Sequence, residues 1–98
     1  MKFLVTTRFK DSYYALPPAK LQRIMEDATK YRERLAKECK IKELYFLGNM
    51  KGAVVVYELG SSEELARAAF ESPMFPFVDA EVTPLVELDV VKKAQAKK

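Results

Sequence analysis

The candidate chemical groups of this chain are carboxylates, an arginine guanidinium and tyrosine hydroxyls, and its 98 residues include no histidine. The commonest general base at neutral pH and the commonest metal ligand are therefore missing. Nucleophilic catalysis by a Ser–His or Cys–His pair is excluded within one chain. The single cysteine, Cys39, allows no intramolecular disulfide, and at the end of a predicted helix it is interpreted as a small buried apolar residue. Asp79 and Glu81 are either a functional carboxylate pair or residues that cap and form ion pairs.

Arginine and tyrosine side chains lie where they could reach a ligand. Arg8 falls on the first predicted strand, KFLVTTRF. Facing inward, its guanidinium could hold a carboxylate in a bidentate pair, and facing outward it could form a salt bridge between subunits. Tyr31 on the first helix, and Tyr45 and Tyr57 on the next two strands, could point hydroxyls into a cavity or could be core residues with satisfied hydroxyls.

The elements that must position these side chains are predicted from hydrophobic periodicity and from turn and capping signals. In chain order they are a strand at 2–9, a helix at 18–39, strands at 42–48 and 53–59, a helix at about 61–71, and a strand at 80–89. Pro84 interrupts the last strand, which places that strand at an edge or at a bulge. This β-α-β-β-α-β order predicts an α+β domain of the ferredoxin-like type.

The sheet is expected to be covered on both faces. With helices on one face only, its strands should alternate apolar and polar residues, yet LYFL and AVVVY are apolar on both sides. A second copy of the same sheet is the simplest cover, which predicts sheet-to-sheet dimerisation into an α+β barrel. The apolar segment PMFPFV, residues 73–78, either packs over the core of its own chain or contributes to a subunit interface.

Charge and composition argue against nucleic-acid binding and membrane association. The net charge of +3 comes from the last seven residues, because 13 basic and 14 acidic residues remain without their four lysines. We therefore expect one domain at 1–91 with a disordered lysine-rich tail at 92–98. A nearly neutral domain without the aromatic motif of RNA-recognition domains disfavours nucleic-acid binding. The chain has no apolar run of about 20 residues and no signal peptide, so a cytoplasmic location without membrane association is expected.

The segment MFPFVDAEVTPL, residues 74–85, closely resembles the C-terminal signature of muconolactone isomerases, in which a Phe-Pro-aromatic sequence precedes an Asp and then Glu-Val. The matching residues are Pro73, Phe75, Pro76, Asp79, Glu81 and Val82. Weaker matches are MKFLV at the start, PAK at 18–20, RLAKE at 34–38 and VVVYEL at 54–59. The resemblance extends over residues 1–88.

The resemblance implies a dimeric α+β barrel that assembles into larger rings, which are decamers in the best-known members. It also implies an activity without metal or organic cofactor, the shift of a double bond in a small unsaturated lactone that carries a carboxylate. Such a reaction needs one residue that takes and returns a proton. It also needs cations or N–H groups that hold the carboxylate and the developing enolate.

The resemblance further implies which residues do the work, and here the sequence departs from the family. A glutamate on the first helix, taken as the acid/base, is replaced by Ala28, and a histidine shortly after that helix is replaced by Glu43. The catalytic candidates are therefore Glu43 and Asp27, which are otherwise solvated surface carboxylates. The substrate-binding candidates are Arg8, Tyr31, Tyr45 and Phe75. The alternative function is a catalytically inactive member that serves as an oligomeric scaffold or binds a small ligand.

Overall fold

One antiparallel sheet of four strands forms the centre of the fold, and the computed structural model describes residues 1–96. The strands are β1 (Lys2–Phe9), β2 (Ile41–Phe46), β3 (Gly52–Glu58) and β4 (Val78–Leu85), in the spatial order β2-β3-β1-β4. The helices are α1 (Asp11–Tyr14), α2 (Pro18–Lys37), α3 (Ser62–Phe70) and α4 (Leu88–Ala96), and a 3-10 turn spans Phe75–Phe77. No helix among residues 1–96 is both long and apolar enough to cross a membrane.

The predicted element order and the ferredoxin-like α+β class are confirmed. Pro18 begins α2, where its missing N–H leaves no helical hydrogen bond unmade. The Ser61 hydroxyl caps α3 by accepting a hydrogen bond from the Glu64 N–H at 3.1 Å, as the capping-box sequence predicts. β4 is an edge strand, which allows Pro84 to lie within it because an edge position needs no N–H on its outer side.

The structure corrects the sequence reading of Cys39. Cys39 is exposed rather than buried, because α2 ends at Lys37 and Cys39 takes a left-handed φ of 59° that turns the chain toward β2. The domain boundary predicted at residue 91 stays a prediction, and the helix α4 spans that position, from Leu88 to Ala96. Its Lys, Ala and Gln residues are good helix formers and extend the helix into the predicted tail. Residues 97 and 98 of that tail lie outside the described residues.

Helices α2 and α3 cover one side of the sheet, which is called the inner face. Val5 of β1 pairs with Val55 of β3 and with Val82 of β4, and Leu44 of β2 pairs with Val55. Side chains directly opposite in a ladder point to the same side, so these four apolar residues share the inner face. The opposite side, called the outer face, is left uncovered by α2 and α3. The second copy expected there stays a prediction.

The core lies between α2 and the apolar segment that precedes β4. Tyr13, Ala28 and Met74 form its buried cluster. Ala28 is only 1% exposed, and its small side chain lets α2 approach closely. Met74 is 7% exposed, so this part of PMFPFV packs over the core of its own chain. Phe75, in contrast, remains 43% exposed, which leaves its ring available to a ligand or a partner.

Candidate functional site

A cavity of about 630 Å³ lies between the inner face and the helices α2 and α3. Val5 and Val55 line it from the sheet, and Leu65 lines it from α3. Two alanines of α3, Ala66 and Ala69, also face the cavity, and their short side chains leave the space open. The wall is therefore largely apolar, as is usual for small-molecule sites of this volume.

Two hydroxyl groups in the cavity wall are already used within the fold. The Thr7 hydroxyl donates to the carbonyl of Ala53 at 3.2 Å. The Tyr31 hydroxyl donates to the carbonyl of Ala68 at 2.6 Å. Burial raises the pKa of Tyr31, so this phenol remains a donor at neutral pH. Both bonds join neighbouring elements, and they shape the cavity without leaving a free group for a ligand.

Arg32 is the cation in the cavity wall that lacks a carboxylate. Its guanidinium carbon lies 5.7 Å from the centroid of the Phe46 ring, an arrangement that attracts a cation to an aromatic face. The only hydrogen bond it makes within residues 1–96 is a long one of 3.4 Å to the Thr29 hydroxyl, and no ion pair joins it to any acid of that range. Burial lowers the pKa of Arg32, which indicates that its charge is poorly solvated.

Tyr57 is the second polar group of this part of the cavity. Burial raises the pKa of its phenol to about 12, with Tyr31 adding to the increase and Arg32 opposing it. At neutral pH the hydroxyl is therefore protonated and can donate a hydrogen bond. Within residues 1–96 it makes none. Arg32 and Tyr57 are thus two potential donors in the cavity wall, in surroundings where such bonds are stronger than in water.

The mouth of the cavity carries a different set of groups. Lys10 and Asp79 form an exposed ion pair there, with Nζ and Oδ1 3.9 Å apart. Asp79 is the one acidic residue among the described residues at the cavity, but its pairing with Arg8 turns the carboxylate toward the outer face, where it is 80% exposed. The ring of Phe75 packs on that of Phe70, with centroids 4.6 Å apart, and forms an aromatic rim. A ligand that enters would pass between this rim and β4.

Three of the predicted site residues lie on the outer face. Arg8 pairs with Gly52 and Asp79 across the sheet, on the side opposite to Val5. A register shift between Ile41 and Glu43 places Glu43 beside Val56, which belongs to the outer face. The Tyr45 hydroxyl donates to Oε1 of Glu43 at 3.0 Å, and this bond raises the pKa of Tyr45.

The cavity therefore brings together only part of the predicted set. Tyr31 and Phe75 line it, whereas Arg8, Glu43 and Tyr45 point away from it across the sheet. Asp27 is exposed on α2, because each helical residue is turned by about 100° from its neighbour, here the buried Ala28. The catalytic roles predicted for Glu43 and Asp27 stay predictions, and neither carboxylate lines the cavity of this chain.

Arg32 was missed by reasoning from the sequence, although a signal for it exists. It lies four residues after Ala28 and three before Leu35, both of which are buried. These spacings place Arg32 on the same apolar stripe of α2. A cation within an otherwise apolar stripe faces the core or a cavity, and it is a stronger candidate for a site than the surface cations of that helix.

These features define a class, the ferredoxin-like α+β proteins with a small-molecule cavity between sheet and helices. The sequence model of the muconolactone delta-isomerase family matches residues 1–89, and the chain belongs to this family. The resemblance seen in MFPFVDAEVTPL and in the weaker segments is thereby confirmed. No curated protein sequence matched the chain.

Solved structures agree with this assignment. A crystal structure of muconolactone isomerase at 3.3 Å resolution is similar to this chain with a TM-score of 0.77 and 26% identity, covering 89% of this chain and 90% of that one. A second similar structure is 5-chloro-2-hydroxyhydroquinone dehydrochlorinase from Burkholderia phenoliruptrix in complex with 2,5-dihydroxybenzoquinone. It has a TM-score of 0.62 and 16% identity, covering 92% of this chain and 98% of that one. At that identity the likeness shows the fold alone.

Proposed function

We propose that the protein binds a small unsaturated acid, such as a lactone that carries a carboxylate, in the cavity and shifts one of its double bonds by proton transfer without a cofactor. The observation that carries the proposal is Arg32, a half-buried cation in an apolar wall that has no carboxylate partner within residues 1–96. A poorly solvated, unpaired charge costs free energy. An anionic ligand would offset that cost by pairing with it.

Tyr57 adds to this environment a property that suits the reaction. Removal of a proton beside a lactone carbonyl places negative charge on the carbonyl oxygen. The protonated phenol of Tyr57 and the guanidinium of Arg32 would both donate to that oxygen. Donors that are fixed in place before the charge develops lower the barrier without reorganisation. The activity for which the family is named, delta-isomerisation of muconolactone, is chemistry of this kind.

The proposed proton-exchanging residue within this chain is Asp79, the acidic residue at the cavity mouth. Its carboxylate is exposed and paired with Lys10, so it would have to turn toward the cavity to reach a ligand. Asp79 lies on β4, whereas Phe46, against which Arg32 packs, lies on β2 at the opposite edge of the sheet. Three strand spacings separate those edges, or about 14 Å. This separation favours a second candidate function, in which the protein binds the acid without converting it.

One set of variants tests the proposal. Isomerisation of muconolactone and its binding by calorimetry would be measured for the wild type, Arg32→Met and Asp79→Asn. Loss of a charge-assisted hydrogen bond costs about 1.5–3 kcal/mol, so Arg32→Met should weaken binding roughly 10- to 150-fold. Arg23→Met, which changes an exposed cation of α2, is the control and should bind normally. Normal binding by Arg32→Met would refute the assignment of the cavity.

Turnover separates the two candidate functions. If the wild type isomerises muconolactone and Asp79→Asn binds it without isomerising it, the enzymatic function and the role of Asp79 are both supported. Binding without turnover supports the second candidate. In that case Ala28→Glu, which returns a carboxylate to the position of the family glutamate, should gain turnover, whereas the matched Ala28→Gln should not. Circular dichroism would establish that both variants fold, because Ala28 is buried.

Self-association is the second part of the proposal. The centre of the outer face carries the apolar side chains of Leu4, Val54 and Val56. The segment around α4 exposes further apolar side chains, with Val86 65% and Leu88 66% exposed. Apolar surface of this extent favours contact with a second copy. Sedimentation at several concentrations should therefore give a dimer or a larger ring, and a monomer at all concentrations would contradict the proposal.

A further inference from the structure

We infer that the ligand of the cavity is an amphipathic acid, with its charged oxygens at one end and an apolar alkyl or aryl body larger than a single lactone ring. The inference rests on the proposed function in one respect, the pairing of the acid group with Arg32. It goes further by assigning the class of ligand from the volume and the polarity of the cavity.

The volume of the cavity exceeds what a small lactone acid requires. The space is about 630 Å³. Even at the ~30 Å³ that a water molecule occupies in the liquid, a lactone acid of about ten non-hydrogen atoms would fill roughly half of it. Unfilled apolar space would forfeit contacts that a larger body could make. The cavity thus has room for about ten further carbon atoms, and cavities of this volume commonly hold ligands larger than metabolite fragments.

Few polar groups of the wall are available to a ligand oxygen. Arg32, Tyr57 and Ser62 are the polar side chains of the wall without a strong partner within residues 1–96, whereas the charged pair at the mouth is already joined. Elsewhere the wall offers Met25, Leu65 and Val82, whose side chains donate no hydrogen bonds. A ligand oxygen placed there would lose its bonds to water without replacement. The charged oxygens of the ligand are therefore placed beside Arg32, the cation of the wall without a carboxylate among the described residues, and most of the ligand is apolar.

The mouth of the cavity points to the same class of ligand. Phe75 and Val82 line the cavity yet remain 43% and 45% exposed. An apolar body that extends from Arg32 toward β4 would cover both side chains. Burial of their surface would contribute about 25 cal/mol for each Å² removed from water. The exposed rim is thus accounted for by a ligand that reaches the mouth.

A series of saturated carboxylates tests this inference directly. Calorimetric titration with butanoate, hexanoate, octanoate and decanoate, each below its micelle concentration, should show affinity that rises about fourfold for each added methylene. Decanol, which has the same body without the charge, should bind at least tenfold more weakly than decanoate. Equal affinity of butanoate and decanoate would overturn the inference.

Two variants locate the apolar body. Ala69→Leu and Ala66→Leu each fill space in the cavity from α3, and both positions are exposed, so folding should be preserved. Each should weaken decanoate at least tenfold and leave butanoate within about twofold. Ala36→Leu, an exposed position of α2 outside the cavity, is the matched control and should change neither. If affinity still rises with chain length in both Ala66→Leu and Ala69→Leu, the apolar body of the ligand does not occupy this cavity, and the inference is overturned.

The outcomes also distinguish this inference from the proposed function. If all carboxylates of the series bind with equal affinity and still lose binding in Arg32→Met, that result would support an anion site in the cavity and would overturn only the inference of a large apolar body. Failure of every carboxylate and of muconolactone to bind would overturn both. A rising series that is lost in Ala69→Leu and lowered throughout in Arg32→Met is the result expected if both hold.

Discussion

Replacement of Tyr57 by Phe should make the protein more resistant to unfolding at alkaline pH. Burial raises the pKa of the Tyr57 phenol from 10.0 to about 12 in the folded chain. Below pH 10 the hydroxyl is protonated in both the folded and the unfolded state. Between about pH 10 and 12 it is ionised only in the unfolded state, so unfolding releases a proton and the free energy of unfolding falls as the pH rises.

The size of the effect follows from the difference between the two pKa values. A shift of one unit corresponds to 1.36 kcal/mol, so the increase to about 12 gives a loss of about 3 kcal/mol at most once the pH has passed both values. Tyr57 is only partly buried, and residual solvation reduces this figure. Phe cannot ionise, so the Tyr57→Phe protein should keep that part of its stability. At pH 7 the variant should be as stable as the wild type or slightly more so.

Urea denaturation at pH 8, 9, 10, 11 and 11.5 measures the effect. The free energy of unfolding of the wild type should fall more steeply above pH 10 than that of Tyr57→Phe, and the gap should grow by about 2 kcal/mol over the upper part of this range. Tyr14→Phe, which removes the hydroxyl of a side chain that is 55% exposed, controls for loss of a phenol. Parallel curves for the wild type and Tyr57→Phe would show that burial does not hold the Tyr57 phenol in its protonated form, and the reasoning would fail.

Three further substitutions have expected outcomes, each measured by chemical and thermal denaturation. Tyr31→Phe should lower the free energy of unfolding by about 1–2 kcal/mol, because the carbonyl of Ala68 loses its donor at 2.6 Å, and the melting temperature should fall by about 4–8 °C per kcal/mol. Gly52→Ala should cost about 3 kcal/mol or more, since its Cβ would overlap the carbonyl of Thr7. Arg32→Met should leave the stability unchanged or raise it, as it removes a half-buried charge that has no acidic partner within residues 1–96.

Each of these substitutions has a matched control. Tyr14→Phe is the control for Tyr31→Phe, and Arg23→Met is the control for Arg32→Met, because Tyr14 and Arg23 are both exposed. Gly48→Ala serves for Gly52, because nothing lies within 4 Å of a Cβ at Gly48. The controls should remain within about 0.5 kcal/mol of the wild type. A Tyr31 or Gly52 variant as stable as its control, or an Arg32 variant less stable than its control, would contradict the corresponding argument.

The order of the elements was predictable because local patterns encode it. Alternation identifies β1, a short run of β-branched residues identifies β3, and apolar residues at three- and four-residue steps identify α2. The capping sequence at Ser61 marks the start of α3 through bonds between residues three positions apart. Such signals depend on residues that are close along the chain. The family was predictable for a related reason, since MFPFVDAEVTPL is a contiguous and unusual sequence.

Only some of the predicted site residues line the same cavity. Tyr31 and Phe75 line the cavity, because the stripe of α2 and the apolar segment before β4 both face the core. Glu43 does not line it, since a register shift in β2 places it on the outer face. A shift of one residue moves a side chain to the other face of a sheet. The strand pattern alone gave no sign of where the shift occurs.

The sequence by itself determined the ferredoxin-like order, the family and the absence of histidine chemistry, since composition and short-range pattern suffice for these. Only the tertiary structure decided which groups share a cavity. Arg32 and Tyr57 are 25 positions apart along the chain, and both line the cavity because α2 packs over the sheet on its β2 side. The space beside them depends on Ala66 and Ala69 of a third element. A cavity is formed by surfaces from several elements, and their relative placement follows from packing and register rather than from any local pattern.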